Sequence, residues 1–255
     1  MTFGVDWLPG VAYAYIVIFA RVGSMLMVLP AFGERIIPAR MRLSFALIFA
    51  LVLYPLVSDL LPVYPSNMMA AITILLHEIM VGLILGTLAR LIVSATQTAG
   101  SVIAFQIGLS VATSPDPTQA GVQGAIIGSF LSFAAMALVF ATDLHHMVLA
   151  GVYDSYMIFS PTTPLMFEDA AVTAVNITAR SFAVGAQMAA PFIVFGLVFS
   201  LGLGLLSKLM PQLQVFFIAM PANIWVGLML FALLLATMLT WYLTHFQDEF
   251  SLLMR

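Results

Sequence analysis

The sequence predicts an all-α, polytopic integral membrane protein with about six hydrophobic helices. Of its 255 residues, 63% are apolar and only 7% are charged, whereas a soluble domain carries about 25% charged residues because its surface faces water. The charges fall mostly in short gaps between long apolar runs, and about 20 helical residues cross the hydrocarbon core of a bilayer. Helices are the expected elements because a helix satisfies its own backbone hydrogen bonds in lipid.

Six apolar stretches are long enough to span a bilayer. In chain order they are Trp7 to Pro30, Leu43 to Leu61, Met68 to Val93, Val122 to Met147, Ala171 to Ser207 and Val215 to Leu243. The first has no basic leader before its apolar run, so we expect it to be retained and not cleaved as an export signal.

The fifth stretch is longer than one bilayer span requires. Its residues number about 37, and at about 1.5 Å each they reach roughly 55 Å, against a hydrocarbon core of about 30 Å. Pro191 removes one helical hydrogen bond within it, so we expect a bend near that residue. Together with the sixth stretch it predicts a long helical hairpin that turns at Lys208 to Gln212.

Basic residues predict the orientation, because short loops that carry Lys and Arg stay on the cytoplasmic side. The first gap contains Arg35, Arg40 and Arg42. If that gap is cytoplasmic, alternation places Arg90 and Lys208 at cytoplasmic gaps and both termini on the extracytoplasmic face.

Composition argues against several kinds of function. The chain contains no cysteine, so we expect neither a disulfide framework nor a Cys-based metal site or nucleophile. A net charge of −3 without a basic tract predicts no binding of nucleic acid. We find no phosphate-binding loop and no recognisable spacing of Ser, His and Asp, so we predict neither an enzyme nor a cofactor.

Ionisable residues within apolar stretches are candidates for function because they are costly in lipid. Arg21 lies well inside the first stretch, and we expect it to snorkel or to pair with a carboxylate such as Glu78. Asp143, His145 and His146 form a second group, which is typical of a proton relay or of metal ligands. Because this group lies near a predicted extracytoplasmic helix end, solvation at the interface is the favoured interpretation and we predict no metal site.

Glycines at four-residue spacing predict close packing of helices, because they let two backbones approach. The two pairs are Gly82 with Gly86 and Gly124 with Gly128. Chance occurrence in a glycine-containing membrane protein is the alternative.

The segment from Gln97 to Gly124 differs from the rest of the chain. It is moderately apolar, is rich in Gly, Ser, Thr and Gln, and contains Pro115 and Pro117 on either side of Asp116. These residues favour turns and disfavour a helix. We expect irregular backbone that is buried in protein or lines a water-filled passage; an interfacial loop without a special role is the alternative.

Four segments carry a resemblance to a known family. They are an early R-x-G and P-x-F-G pattern, an E-x3-G-x3-G helix, a G-x7-G segment ending in Asp-Pro, and a basic-x-x-P-Q-x-Q-V-F segment. In this chain they fall at Arg21 to Gly23 with Pro30 to Gly33, at Glu78 to Gly86, at Gly100 to Pro117, and at Lys208 to Phe216. They follow one another in order over nearly the whole chain, which resembles the FliR (SctT) proteins of the type III secretion export gate.

The resemblance implies a single membrane domain of two parts. Residues from about 1 to 165 would be similar to FliP, and residues from about 166 to 255 would form a helical hairpin similar to FliQ. The chain would join FliP and FliQ in a gate that meets FlhB and FlhA, contacts membrane lipid and passes unfolded flagellar proteins. The implied location is the bacterial inner membrane at the flagellar basal body, where the assembled helices need not lie as six simple spans.

The resemblance also assigns roles to two segments. The chain from about Phe105 to Gln123 would plug the export channel, since its glycines permit bends and its apolar residues can seal a constriction. The plug residues are Phe105, Gln106, Ile107, Gly108, Leu109, Ser110, Val111, Pro115, Asp116 and Pro117. The turn of the hairpin would face the cytoplasm through Lys208, Pro211, Gln212 and Gln214.

The sequence leaves three alternative functions open. An injectisome gate subunit (SctT) would share the same motifs. A proton-coupled secondary transporter would use Glu78 or the group at Asp143 and His145, although we find no internal repeat of the kind expected for it. An intramembrane hydrolase would need a spacing of histidines and acids that we do not recognise.

Overall fold

In a computed structural model of the protein, every regular element among the described residues is a helix, which confirms the predicted fold class. The described residues are 8–30, 32, 37–65, 67–109, 120–164, 167–210 and 215–254, without the side chains of 120–125 and 215–218. The helices are α1 (Leu8–Val28), α2 (Ala39–Val57), α3 (Met68–Gln106), α4 (Ala120–Ala141), α5 (Leu144–Ile158), α6 (Phe167–Leu209) and α7 (Val215–Leu253). A 3-10 turn, Ser58–Leu60, follows α2.

The predicted membrane spans correspond closely to these helices. Within the described ranges, five helices are long and apolar enough to cross a membrane: α1, α2 with its 3-10 turn, α3, α6 and α7. Helices α4 and α5 meet the same criterion only together, as a pair with a bend at a short break. The protein is therefore a polytopic membrane protein, as predicted.

The fourth predicted stretch, Val122 to Met147, is not one helix. Helix α4 ends at Ala141 and α5 begins at Leu144, so the prediction of a single uninterrupted span is wrong. Asp143 lies between them with a φ of 59°, a left-handed conformation that a right-handed helix does not contain. Since α5 has 15 residues, it is about 22 Å long and shorter than a bilayer core.

The expectation of irregular backbone from Gln97 to Gly124 is wrong at both ends. Helix α3 continues to Gln106, and α4 begins at Ala120. Hydroxyl side chains in this part of α3 are satisfied by the helix itself; for example, the Thr98 hydroxyl donates to the Ser94 carbonyl at 3.1 Å. Such bonds let a polar sequence remain helical among apolar neighbours.

Three helices are longer than one bilayer span. Helix α6 has 43 residues and is about 65 Å long, so the predicted excess length is confirmed. The helix continues on both sides of Pro191, which therefore does not end it. Helices α3 and α7 have 39 residues each.

The chain divides into two compact units. The first unit comprises Met1–Ile92, Asp143–Ile177 and Glu249–Arg255, and the second comprises Val93–Thr142 and Thr178–Asp248. Helices α3, α6 and α7 contribute residues to both units. The core of each unit therefore combines segments that are distant in sequence.

In the first unit, buried side chains recur every three or four residues along α1, α2 and α3, as expected for helices with one packed face. They include Val17, Ile18, Val22, Met25, Ala46, Ala50, Leu53, Val57, Val81, Leu85 and Leu88. Association between these helices in lipid relies on van der Waals packing of such faces.

The core of the second unit combines small residues of α3 with aromatic rings of the other helices. Ala95 and Ala99 of α3 are fully buried. The Phe231 ring of α7 lies 5.9 Å from Phe130 of α4 and 6.2 Å from Phe192 of α6, measured between ring centroids. Phe192 and Phe231 are buried, whereas Phe130 is 48% exposed and lies at the edge of this cluster.

Candidate functional site

A buried ion pair between α1 and α3 is the most polar feature of the first unit. Arg21 and Glu78 are both fully buried. The Arg21 Nε donates to Glu78 Oε2 at 2.6 Å, and its Nη2 donates to Glu78 Oε1 at 2.8 Å. This is the bidentate arrangement in which a planar guanidinium matches a carboxylate. The structure thus brings together the two intramembrane ionisable residues that the sequence singled out.

The remaining N–H groups of Arg21 hold the C-terminal end of α5. Its Nη1 donates to the Ser155 carbonyl at 2.8 Å and to Ser155 Oγ at 3.3 Å, and its Nη2 donates to the Phe159 carbonyl at 2.7 Å. The Ser155 carbonyl also accepts from the Phe159 N–H at 2.9 Å, and the cation complements the negative end of the helix dipole. The guanidinium carbon lies 3.9 Å from the ring centroid of Tyr156, a cation–π contact. We call Arg21, Glu78, Ser155, Tyr156 and Phe159 the arginine node.

The close approach of α3 to α1 at this node depends on glycine. Gly82 and Gly86 lie four and eight residues after Glu78 and hence on the same face of α3. A Cβ at Gly86 would lie 2.8 Å from a carbonyl oxygen of α1, and one at Gly82 would overlap Ser24 Oγ and the Arg21 carbonyl oxygen. Two backbones approach this closely only where side chains are absent.

The arginine node is suited to fastening helices and not to transferring protons. All five N–H groups of Arg21 have an acceptor, and neither Arg21 nor Glu78 is exposed. His77 is adjacent to Glu78 in sequence, and its Nδ1 lies 3.4 Å from Glu78 Oε1. A relay through Glu78 would have to break a buried ion pair, which costs several kcal/mol. The node therefore offers no support for a proton-coupled transporter.

The predicted plug segment begins in the second unit. Phe105 and Gln106 are the last two residues of α3 and are therefore helical. Ile107 is fully buried, whereas Phe105 is 68% exposed. Gly108 has a φ of 76°, which glycine adopts without a steric penalty. Leu109 is also described, but Ser110, Val111, Pro115, Asp116 and Pro117 lie outside the described residues.

The last turn of α3 is in contact with α6 and α7. The Asn223 Nδ2 donates to the Gln106 carbonyl at 3.3 Å. The Ile107 side chain packs against Gly227, and the Gln106 side chain packs against Gly196. None of these three partners was predicted from the sequence. Asn223, an amide in an apolar stretch, was an available signal, but nothing near Gly196 or Gly227 marked them as contact points.

The second predicted glycine pair belongs to α4. A Cβ at Gly128 would lie 2.7 Å from Gln97 Oε1, and one at Gly100 of α3 would overlap the Gly128 backbone. Gly128 therefore lies at a close crossing with α3. Gly124 lies among the residues whose side chains are not described.

Neutral hydrogen bonds flank this crossing. The Ser132 hydroxyl lies 2.7 Å from the Thr96 hydroxyl and accepts a hydrogen bond from Gln97 Nε2 at 2.8 Å. The second unit thus joins α3 to α4 with hydroxyl and amide groups.

Of the four residues predicted to face the cytoplasm at the turn, the structure describes Lys208. Lys208 is exposed in the last turn of α6, where a cation complements the negative end of the helix dipole. Pro211, Gln212 and Gln214 lie outside the described residues.

Asp143, His145 and His146 lie together at the start of α5. Their ligand atoms lie within 4.8 Å of one another. Asp143 and His146 are 79% and 70% exposed at the side chain, and Asp143 Oδ1 lies 3.8 Å from His146 Nδ1. This exposure fits the interpretation that Asp143 and His146 are solvated, whereas His145 is half-buried.

Comparison with known proteins yields one family. The model of the family described as "Bacterial export proteins, family 1" matches residues 12–249. The chain is 44% identical to the flagellar biosynthetic protein FliR of Caulobacter vibrioides over 88% of this chain and 89% of that protein. It is 32% identical to the protein of the same name from Bacillus subtilis, over 83% and 82% of the two chains. For that of Escherichia coli the identity is 26%, over 91% and 88%.

Proposed function

This chain belongs to the family of bacterial export proteins, family 1, and from that premise we propose that it is a membrane subunit of the flagellar type III export gate. The observation that carries the proposal is its sequence similarity, over most of its length, to proteins named for flagellar biosynthesis. The long apolar helices support a membrane location. The proposed location is the bacterial inner membrane at the flagellar basal body, as a multi-pass protein.

The proposed gate is a hetero-oligomer. The chain joins FliP and FliQ to form the channel, through its FliP-like part at residues 1–165 and its FliQ-like hairpin at 166–255. FlhB meets the cytoplasmic turn at Lys208, Pro211, Gln212 and Gln214, and FlhA belongs to the same export apparatus. Exposed apolar side chains on α6, such as Leu197 and Leu205 at 63% and 66%, are available for lipid or for these partners.

The chain passes unfolded flagellar proteins and catalyses no reaction itself. Energy for export comes from other components. The segment from about Phe105 to Gln123 plugs the channel in its resting state, because apolar side chains such as those of Ile107 and Leu109 can seal a constriction against ions. The burial of Ile107 and the left-handed conformation of Gly108 support a change of chain direction at the start of this segment.

Co-purification tests the assembly. The full chain, expressed with the FliP and FliQ homologues of its own organism, should be recovered with both at fixed stoichiometry after detergent extraction. Recovery of the chain alone or as a homo-oligomer, with normal yields of all three proteins, would contradict the gate assignment and favour a transporter.

Ion leak tests the plug. Cells that carry the co-expressed subunits should remain sealed with the full chain and should leak ions when Ser110 to Ala120 are deleted. Secretion of flagellar substrates is measured in parallel. An intact seal with normal secretion after the deletion would contradict the plug assignment while leaving the gate assignment to the co-purification result.

A further inference from the structure

We propose that the start of α2 binds one anionic phospholipid, whose phosphate contacts Arg40 and Arg42 and whose acyl chain enters an apolar cavity beside Met41. The residues of this site belong to the first unit. The inference goes beyond the export function, because it concerns the lipid around the chain and not the exported proteins. It depends on the membrane location that the long apolar helices support.

A cavity of about 180 Å³ lies between the end of α1 and the start of α2. Its lining residues are Leu26, Phe32, Ile37, Met41, Arg42 and Phe45. Five of these six are apolar, whereas a buried water needs about two to four polar partners. The rings of Phe32 and Phe45 are stacked with their centroids 5.3 Å apart and form one wall. The cavity therefore suits an apolar chain better than water.

Two arginines lie in the first turn of α2. Arg42 lines the cavity and is half-buried, and Arg40 is exposed. They precede and follow Met41, so each lies about 100° from it around the helix. The first turn of α2 contains no acidic residue. Charge complementarity therefore favours an anionic group here, and the planar guanidinium of arginine matches the oxygens of a phosphate.

The charge of the connection between α1 and α2 favours a lipid of the cytoplasmic leaflet. Residues 29–42 contain three arginines and one acidic residue, Glu34, which gives a net charge of +2. Glu34 and Arg35 lie outside the described residues, and the site does not include them. Short loops with this balance stay on the cytoplasmic side, where the anionic surface of the membrane attracts basic segments next to a span.

The length of α2 places the arginines at the membrane surface. With its 3-10 turn, this helix covers 22 residues and is about 33 Å long, against a hydrocarbon core of about 30 Å. A helix of this length that crosses the core has its first turn at the level of the phosphate groups. Helices α3, α6 and α7 are much longer and do not fix a depth in this way.

An exposed apolar stripe continues from the cavity along α2. Its members recur every three or four residues and therefore share one face of the helix; they are Met41, Phe45, Ile48, Val52 and Leu56. Met41 and Ile48 are each 63% exposed. From the first to the last member the helix rises about 22 Å, which is more than half of the bilayer core. An acyl chain that leaves the cavity can therefore lie along this stripe.

Lipid binding to the full chain in detergent tests the proposal. The probes are phosphatidylglycerol and phosphatidylethanolamine with the same two oleoyl chains, and native mass spectrometry counts the bound lipid. We expect one phosphatidylglycerol to bind about fivefold more tightly or better, because its headgroup is anionic. Equal affinities would overturn the proposal. Displacement of the lipid by an equal concentration of inorganic phosphate would also overturn it, since the site would then recognise free phosphate.

Substitutions test the phosphate contact and the cavity separately. Arg42→Gln should weaken the binding of phosphatidylglycerol about fivefold, and Arg42→Lys should weaken it less because the charge remains. Arg90→Gln removes one exposed charge elsewhere in the first unit and should leave the affinity unchanged. Met41→Trp adds volume at the cavity and should weaken binding about as much as Arg42→Gln. Leu51→Trp is the matched control, because Leu51 is similarly exposed on α2 and does not line the cavity.

Comparison of these variants separates a lipid site from general attraction by surface charge. Variants are compared only when their midpoints of thermal unfolding match that of the unchanged chain, and Arg40→Gln replaces Arg42→Gln if the latter does not fold. Equal losses from Arg42→Gln and Arg90→Gln would overturn the site. An unchanged affinity in Met41→Trp would overturn it as well, because the cavity would then hold no acyl chain. Loss of the bound lipid when the chain is co-purified with FliP and FliQ homologues would show that a partner subunit, and not lipid, covers this face.

Discussion

In the two units, different interactions hold the long helices together. In the first unit, the arginine node joins α1, α3 and α5 through a charged pair and five hydrogen bonds from one guanidinium. In the second unit, α3 crosses α4 at Gly100 and Gly128 beside neutral bonds from Thr96 and Gln97 to Ser132. Both arrangements bring helix backbones close together in an apolar environment. Only the arginine node contains charged groups, which destabilise the protein when they are buried without a partner.

This difference predicts two kinds of response to substitution. A buried charge that loses its partner destabilises a protein by more than the pair ever contributed. Packing at a glycine crossing instead responds to the volume that is added, one group at a time. We therefore expect one substitution in the arginine node to cause a large loss of stability. Substitutions at the glycine crossing should cause a loss that increases with the volume added.

The largest effect is expected from Arg21→Leu, which leaves Glu78 buried without a counter-charge. We expect the free energy of unfolding to fall by about 3–5 kcal/mol, measured by thermal unfolding of the detergent-solubilised complex. The double variant Arg21→Leu with Glu78→Leu should be more stable than Arg21→Leu alone, because no unpaired charge remains. A double variant that is as unstable as the sum of the single ones would show that the node acts through packing.

A smaller and graded effect is expected at the crossing of α3 and α4. Gly100→Ala adds a Cβ that overlaps the Gly128 backbone, and it should lower the free energy of unfolding by about 1–3 kcal/mol. Gly100→Val should cost more, in the order of side-chain volume. Gly204→Ala and Gly204→Val, in open space on α6, serve as controls in the same unfolding measurement. A loss that does not increase from Ala to Val would contradict the packing account.

Ser132→Ala probes the neutral bonds of the second unit. It removes the hydroxyl that Thr96 and Gln97 contact, and each ordinary hydrogen bond contributes about 1 kcal/mol. We expect a loss of about 1–2 kcal/mol in the free energy of unfolding, well below that of Arg21→Leu. An equal loss would remove the distinction between the units.

No effect on stability is expected from the exposed side chains of Asp143 and His146. Exposed ion pairs contribute little because water and salt screen them. Asp143→Asn, a chelator and added zinc should each leave the midpoint of thermal unfolding unchanged. A rise with zinc that His146→Ala abolishes would instead establish a metal site in the first unit.

The sequence predicted the fold well where the signal was local. Long apolar runs predicted α1, α2, α3, α6 and α7, since crossing lipid requires continuous helices. The break in the fourth stretch was missed because an aspartate in an apolar stretch does not by itself show a break, and the left-handed backbone conformation of Asp143, φ 59°, is visible only in the structure. The end of α3 was missed because hydroxyl groups bound to their own helix look, in sequence, like those of a loop.

What the sequence alone determined is that this protein is helical, lies in a membrane and must let Arg21 either snorkel or pair, because apolar length and the cost of a charge in lipid are properties of the residues themselves. Only the tertiary structure decided which groups satisfy that arginine and hold the end of α3. The Ser155 carbonyl lies 134 residues from Arg21, and Asn223 lies 117 residues from Gln106. Every residue has a backbone carbonyl, and the space beside a glycine depends on neighbours that are distant in sequence. Neither contact can therefore be recognised before the packing of the helices is known.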